Sequence, residues 1–366
     1  MSKSGPIRRC GAVVAVVIAG GLLAGCTGFG DIPKHIRPLP SAVKAELTEK
    51  KMQASDPILL RIFKEESEME VWKVREDTGR FALFKTYEIC KWSGKLGPKF
   101  KEGDRQAPEG FYTVTPAQMN PKSSYHLAFN IGFPNAYDRA LDRTGSHLMV
   151  HGACSSAGCY SMEDEKIQEI YTMARLSFQG GQRAFQVQAF PFRMTPANLA
   201  KNRNSPHYEF WKMLKEGHDH FEVTRQQPKI DVCSSKYVFN ATVQEGVNFS
   251  PTGECPPEMS VNPRIKQAVA SRMARDNAKE LIIAAKLDKK KDGGLFGRSK
   301  RNETALAMSQ PAVAVPLTTA SIAAPATTDG TLPRAKPKSE QTVAAYTAKA
   351  PARQGGIVKR LFRKFW

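Results

Sequence analysis

The stretch Ser146-His147-Leu148-Met149-Val150-His151-Gly152-Ala153-Cys154-Ser155-Ser156-Ala157-Gly158-Cys159-Tyr160-Ser161-Met162 decides how this chain is read. Leu148 to Val150 is an apolar run of strand type. His-Gly, a loop of small residues and Gly-Cys follow it. Beyond Ser161 the apolar period becomes helical: Ile167, Ile170, Tyr171 and Ala174 recur behind Glu163, Asp164 and Glu165. Ser161 and Asp164 have the spacing of a capping box, with Asp replacing the usual Glu or Gln. The expected order is strand, loop, helix, with Cys159 two residues ahead of the helix.

That placement has chemical content. A thiolate is the nucleophilic form of cysteine, and a helix N-terminus favours negative charge. His151 is the natural base for the Cys159 proton. Gly158 leaves room for a substrate backbone beside the thiol, and the N–H groups around Gly158 and Cys159 suit a developing oxyanion. Two other readings compete. One is a pair of buried cysteines with a structural histidine. The other is a metal held by His151, Cys154 and Cys159, but that spacing matches no common zinc pattern. The flanking glycines favour the nucleophile, and neither a metal nor a cofactor is expected.

The stretch resembles the signature of the L,D-transpeptidase (YkuD-like) family, His-Gly followed by Ser-x-Gly-Cys, and within it the YafK-like branch. Three further segments are similar to that branch: Lys95 to Tyr112, Phe133-Pro-Asn-Ala-Tyr-Asp-Arg139, and Phe190-Pro-Phe-Arg-Met-Thr195. The resemblance spans about Asp56 to Pro257. It implies a Cys159 nucleophile, a His151 general base/acid, a Gly152 carbonyl that orients the imidazole, and peptidoglycan stem peptides as substrate. The loop between His151 and Cys159 is shorter than in most of the wider family. Ser161 stands where that family usually has Arg.

Charge is unevenly spread over the 366 residues. Residues 27–260 hold 30 Lys/Arg against 28 Asp/Glu, whereas residues 261–366 hold 21 against 7, so the net +19 belongs mostly to the tail. No nucleotide-binding loop or nucleic-acid module is visible, so nucleic acid is not an expected partner. Residues 1–26 read as a lipoprotein signal peptide. Arg8 and Arg9 precede a short apolar run, and Leu23-Ala24-Gly25-Cys26 resembles a bacterial lipobox with Cys26 as the lipidated residue. Thr27 replaces the Asp of an inner-membrane retention signal. The expected location is the periplasm, anchored by lipid to the outer membrane.

Residues 27–55 read as a polar leader with a short helix over Ser41 to Met52. A hairpin is expected from Asp56 to Lys73 and strands over Arg80–Lys91, Gly110–Val114, Tyr125–Ile131 and Ala184–Phe190. The fold class is mainly β with added helices, a YkuD-like β-barrel or sandwich catalytic domain over 56–257 with its core at about 80–192. A helix over 258–290 follows. Residues 291–355 are an Ala/Pro/Thr-rich linker with the composition of disorder. Residues 356–366 form a basic amphipathic end suited to an anionic surface.

Tyr112, Asn130, Arg139 and Arg143 are candidate substrate-binding residues, the two arginines for carboxylates. The competing reading pairs the arginines with Asp138 and Asp142. His147, four residues before His151, is a candidate for supporting the site from the same face. His126, His207, His218 and His220 read as structural. Cys233 and Cys255 flank a strand-like run and are the expected disulfide; Cys90 and Cys154 are a further conceivable pair.

The composite expectation is a lipid-anchored cysteine L,D-transpeptidase of the cell wall. Two alternatives stand beside it. One is a peptidoglycan amidase or hydrolase of the same family that detaches a protein or trims L,D bonds. The other is a non-catalytic wall-binding lipoprotein. The expected partners are stem peptides, the membrane through its lipid anchor, and a wall-attached lipoprotein.

Overall fold

The computed structural model describes residues 32–295. The expected signal peptide with Cys26, nearly all of the expected linker and the basic end 356–366 lie outside the described residues. In chain order the elements are α1 (Ser41–Glu49), β1 (Ile58–Phe63), β2 (Glu68–Val74), β3 (Phe81–Glu88), β4 (Lys91–Trp92), β5 (Gly110–Val114), β6 (Met119–Asn120), β7 (Ala128–Asn130), α2 (Ala136–Ala140), β8 (Met149–His151) and β9 (Tyr160–Ser161). Then follow α3 (Asp164–Gln179), β10 (Phe185–Phe190), α4 (Pro196–Asn202), α5 (Tyr208–Thr224), β11 (Ile230–Cys233), β12 (Lys236–Phe239), β13 (Ala241–Thr242), β14 (Ser260–Val261) and α6 (Pro263–Leu295).

Two five-stranded sheets carry the fold, ordered β3-β2-β1-β10-β5 and β4-β9-β8-β7-β6. Both are open, so the architecture is the sheet-and-helix form of the expectation and not a closed barrel. In the first sheet β1 joins β2 antiparallel and β10 parallel. Every residue of β1 is buried, because both faces of this central strand are covered. Leu60 and Ile62 enter the main core together with Val150, Tyr160, Ile167 and Ile170. The alternate residues Leu59, Arg61 and Phe63 face the other way, toward α5.

α3 supplies the lid of the main core. Ile167, Ile170, Tyr171, Met173 and Ala174 are all buried, and each large apolar side chain contributes about 1.5–3 kcal/mol of transfer free energy. The expected polar leader joins the same core: Leu39, Val43, Leu47 and Met52 are buried in it, so the folded unit begins well before Asp56. α5 packs its Gly217 under the rings of Phe111 and Phe239, where a Cβ would collide with both. α6 lies across α4 and α5 through polar contacts, including Lys215–Asp276 at 2.7 Å, Arg272–Asp219 at 2.8 Å and the Arg203–Asp288 pair.

Two local expectations are corrected. The capping box at the head of α3 does not form. Ser161 lies in β9, fully buried, with its hydroxyl donating to the Lys91 carbonyl at 2.7 Å. Glu163 is the N-cap residue and supplies no side-chain cap. Cys159 is therefore five residues ahead of the helix, with β9 between. The helix charge effect fades within one turn, so it does not reach the thiol through the chain. Ahead of β8 stands the short helix α2, started by Asn135, whose side chain accepts the Asp138 N–H at 2.9 Å.

Candidate active site

β8 and β9 run parallel, pairing Val150 with Tyr160 and His151 with Ser161. Side chains alternate across a strand. Val150 and Tyr160 thus fill the core, both fully buried, while His151 and Cys159 fall on the opposite face as diagonal neighbours. Cys159 is the free cysteine of the described residues and is half-buried. Its Sγ accepts the Met149 N–H at 3.4 Å and approaches the His147 carbonyl at 3.6 Å. Among the described residues it makes no hydrogen bond to the His151 ring.

The His151 ring is held from two sides. Nδ1 lies 2.6 Å from the Gly152 carbonyl. A carbonyl only accepts, so the proton sits on Nδ1 and Nε2 is left with its lone pair. Tyr125 packs on the ring at 4.8 Å between centroids. Burial pushes the imidazole pKa down, against an opposing pull from the Gly152 carbonyl. Burial pushes the Cys159 thiol up, against the Met149 N–H and the Lys99 ammonium. Near neutrality the resting pair is therefore a neutral thiol and a neutral imidazole.

The glycines of the motif have separate physical reasons. A Cβ on Gly152 would stand 2.5 Å from Asp164 Oδ1 and 3.0 Å from the Tyr125 carbonyl. Gly158 has φ +130°, a conformation that side chains of L-residues rarely adopt. The loop between them is pinned at four points. Cys154 is bridged to Cys90. Ala153 N–H donates to Asp164 Oδ1 at 2.9 Å. The Ser156 hydroxyl donates to the Cys159 carbonyl at 2.7 Å and receives Ser93 Oγ at 2.8 Å. Ala153 and Cys154 both have positive φ, a local cost of the sharp turn.

The bridge to Cys90 removes Cys154 from any metal site with His151 and Cys159. Cys233 and Cys255 are likewise joined, with Cα atoms 5.0 Å apart.

Several candidates are placed elsewhere by the fold. Tyr112 is buried, its hydroxyl donating to the Glu109 carbonyl at 3.0 Å, so it is a core residue and not a substrate contact. Arg143 is buried and bonded to Asp138 at 2.9 Å, with the rings of Phe100, Tyr137 and Phe210 around its guanidinium. It is committed to the protein interior and unavailable to a substrate carboxylate. Arg139 is exposed and donates to the Pro134 carbonyl. Asn130 uses its side chain to accept the Gly132 N–H at 2.8 Å. The Gly158 N–H is turned to the Ser156 hydroxyl at 3.3 Å, so it is not free for an oxyanion. His147 lies outside β8 with φ 55° and reaches the thiol through its carbonyl, not its ring. His126 also lies outside its expected strand and contacts Gln168 and Asp164.

Tyr125, Lys99 and Ser156 are site residues that the motif reading missed. Tyr125, on the His151 ring, and Lys99, whose charge acts on Cys159, come from segments whose approach to the site has no local signature. Ser156 is the Ser of the Ser-x-Gly-Cys signature, but a serine in a small-residue loop gives no sign that it bonds Ser93, Gly158 and Cys159.

The L,D-transpeptidase catalytic domain model, YkuD, matches residues 78–188. YafK of Escherichia coli strain K12, which carries the name of an L,D-transpeptidase, is 39% identical over 235 residues, covering 64% of this chain and 93% of that protein. Among solved structures, the helical cell shape determining protein Pgp2 of Campylobacter jejuni matches 52% of this chain and 79% of its own at 16% identity and a TM-score of 0.30. Bd1075 of Bdellovibrio bacteriovorus matches 38% of this chain and 49% of its own at 22% identity and a TM-score of 0.27.

Proposed function

The chain belongs to the L,D-transpeptidase (YkuD) catalytic domain family, in its YafK-like branch, and from that premise we propose that it is a cysteine acyltransferase acting on peptidoglycan stem peptides. The observation that carries this reading is the pairing of a free Cys159 with a His151 on the same sheet face whose Nδ1 is tied to the Gly152 carbonyl.

In the proposed reaction Cys159 Sγ attacks the amide carbonyl at the L-centre of the third-position diamino acid. The thiol proton passes to His151 Nε2. The C–N bond breaks, the departing amine takes that proton, and a thioester remains on Cys159. An incoming amine then gives transfer, and water gives hydrolysis. The neutral resting pair suits general-base activation at the moment of attack. The resting thiol is directed at the His147 carbonyl, and apo geometry of this kind often tightens only with substrate bound.

Hydrolysis is kept as the second reading for a specific reason. The position two residues beyond the nucleophile is Ser161, buried and bonded to Lys91, so that position offers no charged contact to an incoming stem. We further propose lipid attachment at Cys26 and a periplasmic, outer-membrane location. Intact-mass analysis after mixing the protein with a tetrapeptide stem tests the chemistry. The expected result is an adduct of the stem acyl group, mapped to Cys159 and absent in Cys159→Ala. An adduct on any other residue contradicts the proposal.

A further inference from the structure

On the far side of the first sheet, away from the catalytic strands, a polar layer lies beneath α5. Arg61 occupies its centre and is only 2% exposed. Its Nη1 reaches Glu222 at 2.8 Å and Glu70 at 3.8 Å. Among the described residues its Nε and Nη2 have no hydrogen-bond partner, although both are buried. Gln188, the residue opposite Arg61 on β10, has an unpartnered buried Oε1, and Arg225 has an unpartnered buried Nη1. Guanidinium groups stay protonated and keep all their donors at any ordinary pH. Leaving several of them bare in one place is costly.

Arg61 and Arg225 line a cavity of about 350 Å3 whose walls also include Arg272, Phe63 and Trp72. The volume lies at the small end of ligand pockets. The walls hold four guanidiniums against three carboxylates. His218, also in the wall, adds no charge near neutrality, because burial drives its pKa down to about 4. Arg272 is paired with Asp219 and Arg193 with Glu68 behind the wall, so what the cavity offers an anion is the unpartnered N–H groups of Arg61 and Arg225 and not a net charge. The Trp72 and Phe63 rings offer an apolar side to whatever is held.

We propose that this cavity is a binding site for a small organic monocarboxylate, its oxygens bridging Arg61 and Arg225 and its apolar part lying against Trp72. The planar guanidinium fork matches a carboxylate in two-point fashion, and its oxygens would accept from the buried N–H groups that lack partners. The site is separate from Cys159. Leu60 and Ile62, the neighbours of Arg61 along β1, point into the core that Val150 and Tyr160 share, so the thickness of the sheet lies between the two.

Isothermal titration of the full chain with benzoate, acetate and inorganic phosphate tests the proposal. Benzoate is expected to bind saturably with a dissociation constant below about 1 mM, acetate more weakly and phosphate not at all. Arg225→Gln, at the partly open rim, is expected to weaken benzoate roughly tenfold, while Cys159→Ala leaves it unchanged. Arg61→Met is expected to abolish binding if it folds, and Arg225→Gln decides the matter if it does not. No saturable binding of benzoate up to about 20 mM overturns the proposal. So does binding of phosphate alone, or benzoate affinity that is indifferent to Arg225→Gln.

Discussion

Replacing Lys64 by Met removes the cation that holds the segment over residues 93–110 beside Cys159. Lys64 and Glu109 are both fully buried and lie 2.8 Å apart. The Lys64 ammonium also donates to the carbonyls of Lys95 at 2.8 Å, Gly97 at 3.3 Å and Ala107 at 3.0 Å. With Met in its place those carbonyls lose their donor, and the Glu109 carboxylate keeps only Gly97 N–H at 2.7 Å and Trp211 Nε1 at 2.8 Å. Breaking one side of a buried pair typically costs about 3–5 kcal/mol, a large share of the roughly 5–15 kcal/mol that a folded domain holds. The double change Lys64→Met with Glu109→Gln leaves no unpaired charge and should cost less than Lys64→Met alone. Urea unfolding at constant slope measures both. A loss under about 1 kcal/mol for Lys64→Met, or a double variant weaker than the single one, refutes the reasoning.

Acid should weaken the fold through His218, whose folded pKa of about 4 lies below the ordinary imidazole value of 6.5. Between these values the unfolded chain binds a proton that the folded one refuses, so the stability is present above 6.5 and is lost as pH falls toward 4. The loss amounts to about 3 kcal/mol, and stability measured against pH should flatten in His218→Gln. Turnover should follow two groups shifted apart by burial, His151 downward and Cys159 upward. Its acid limb is expected below 6.5 and its thiol limb above 9, leaving a plateau across neutrality; a bell centred on a thiolate–imidazolium pair contradicts the neutral resting state. Mass spectrometry of the mature protein from cells is expected to find an acylated Cys26 at its N-terminus, and a soluble form beginning elsewhere excludes the anchor.

The local part of the fold was legible in the sequence and the long-range part was not. The hairpin of β1 and β2 and the helical period of α3 are short-range signals, and all three elements stand where those signals put them. The Ser161–Asp164 spacing misled because Ser161 is consumed by β9, a two-residue strand that exists only through pairing with β4 and β8. Arg143 read either as a substrate-carboxylate contact or as a partner of the nearby aspartates, and the structure has it on Asp138. The burial of Arg143 depends on Phe100 and Phe210, supplied by distant segments. The motif itself identified Cys159, His151 and both glycines, because a tight turn and a close backbone approach limit which residues fit. Tyr125 and Lys99 reach the same site from remote stretches with no pattern to announce them. The Arg61 layer was hidden for a similar reason: one charged residue in an apolar strand gives no sign of what α5 places over it.

The central claim is that Cys159 and His151 act as one unit on peptidoglycan peptides. Sacculi incubated with the full chain, with Cys159→Ala, with His151→Ala and with the double variant, followed by muropeptide analysis, test it most directly. The wild type is expected to change the muropeptide profile, giving new 3–3 cross-links if an amine reaches the thioester first and shortened or released stems if water does. Each single variant should leave the profile untouched, and the double variant should be no worse, since groups that act together do not add. A Cys159→Ala protein that folds and still alters the muropeptides contradicts the account.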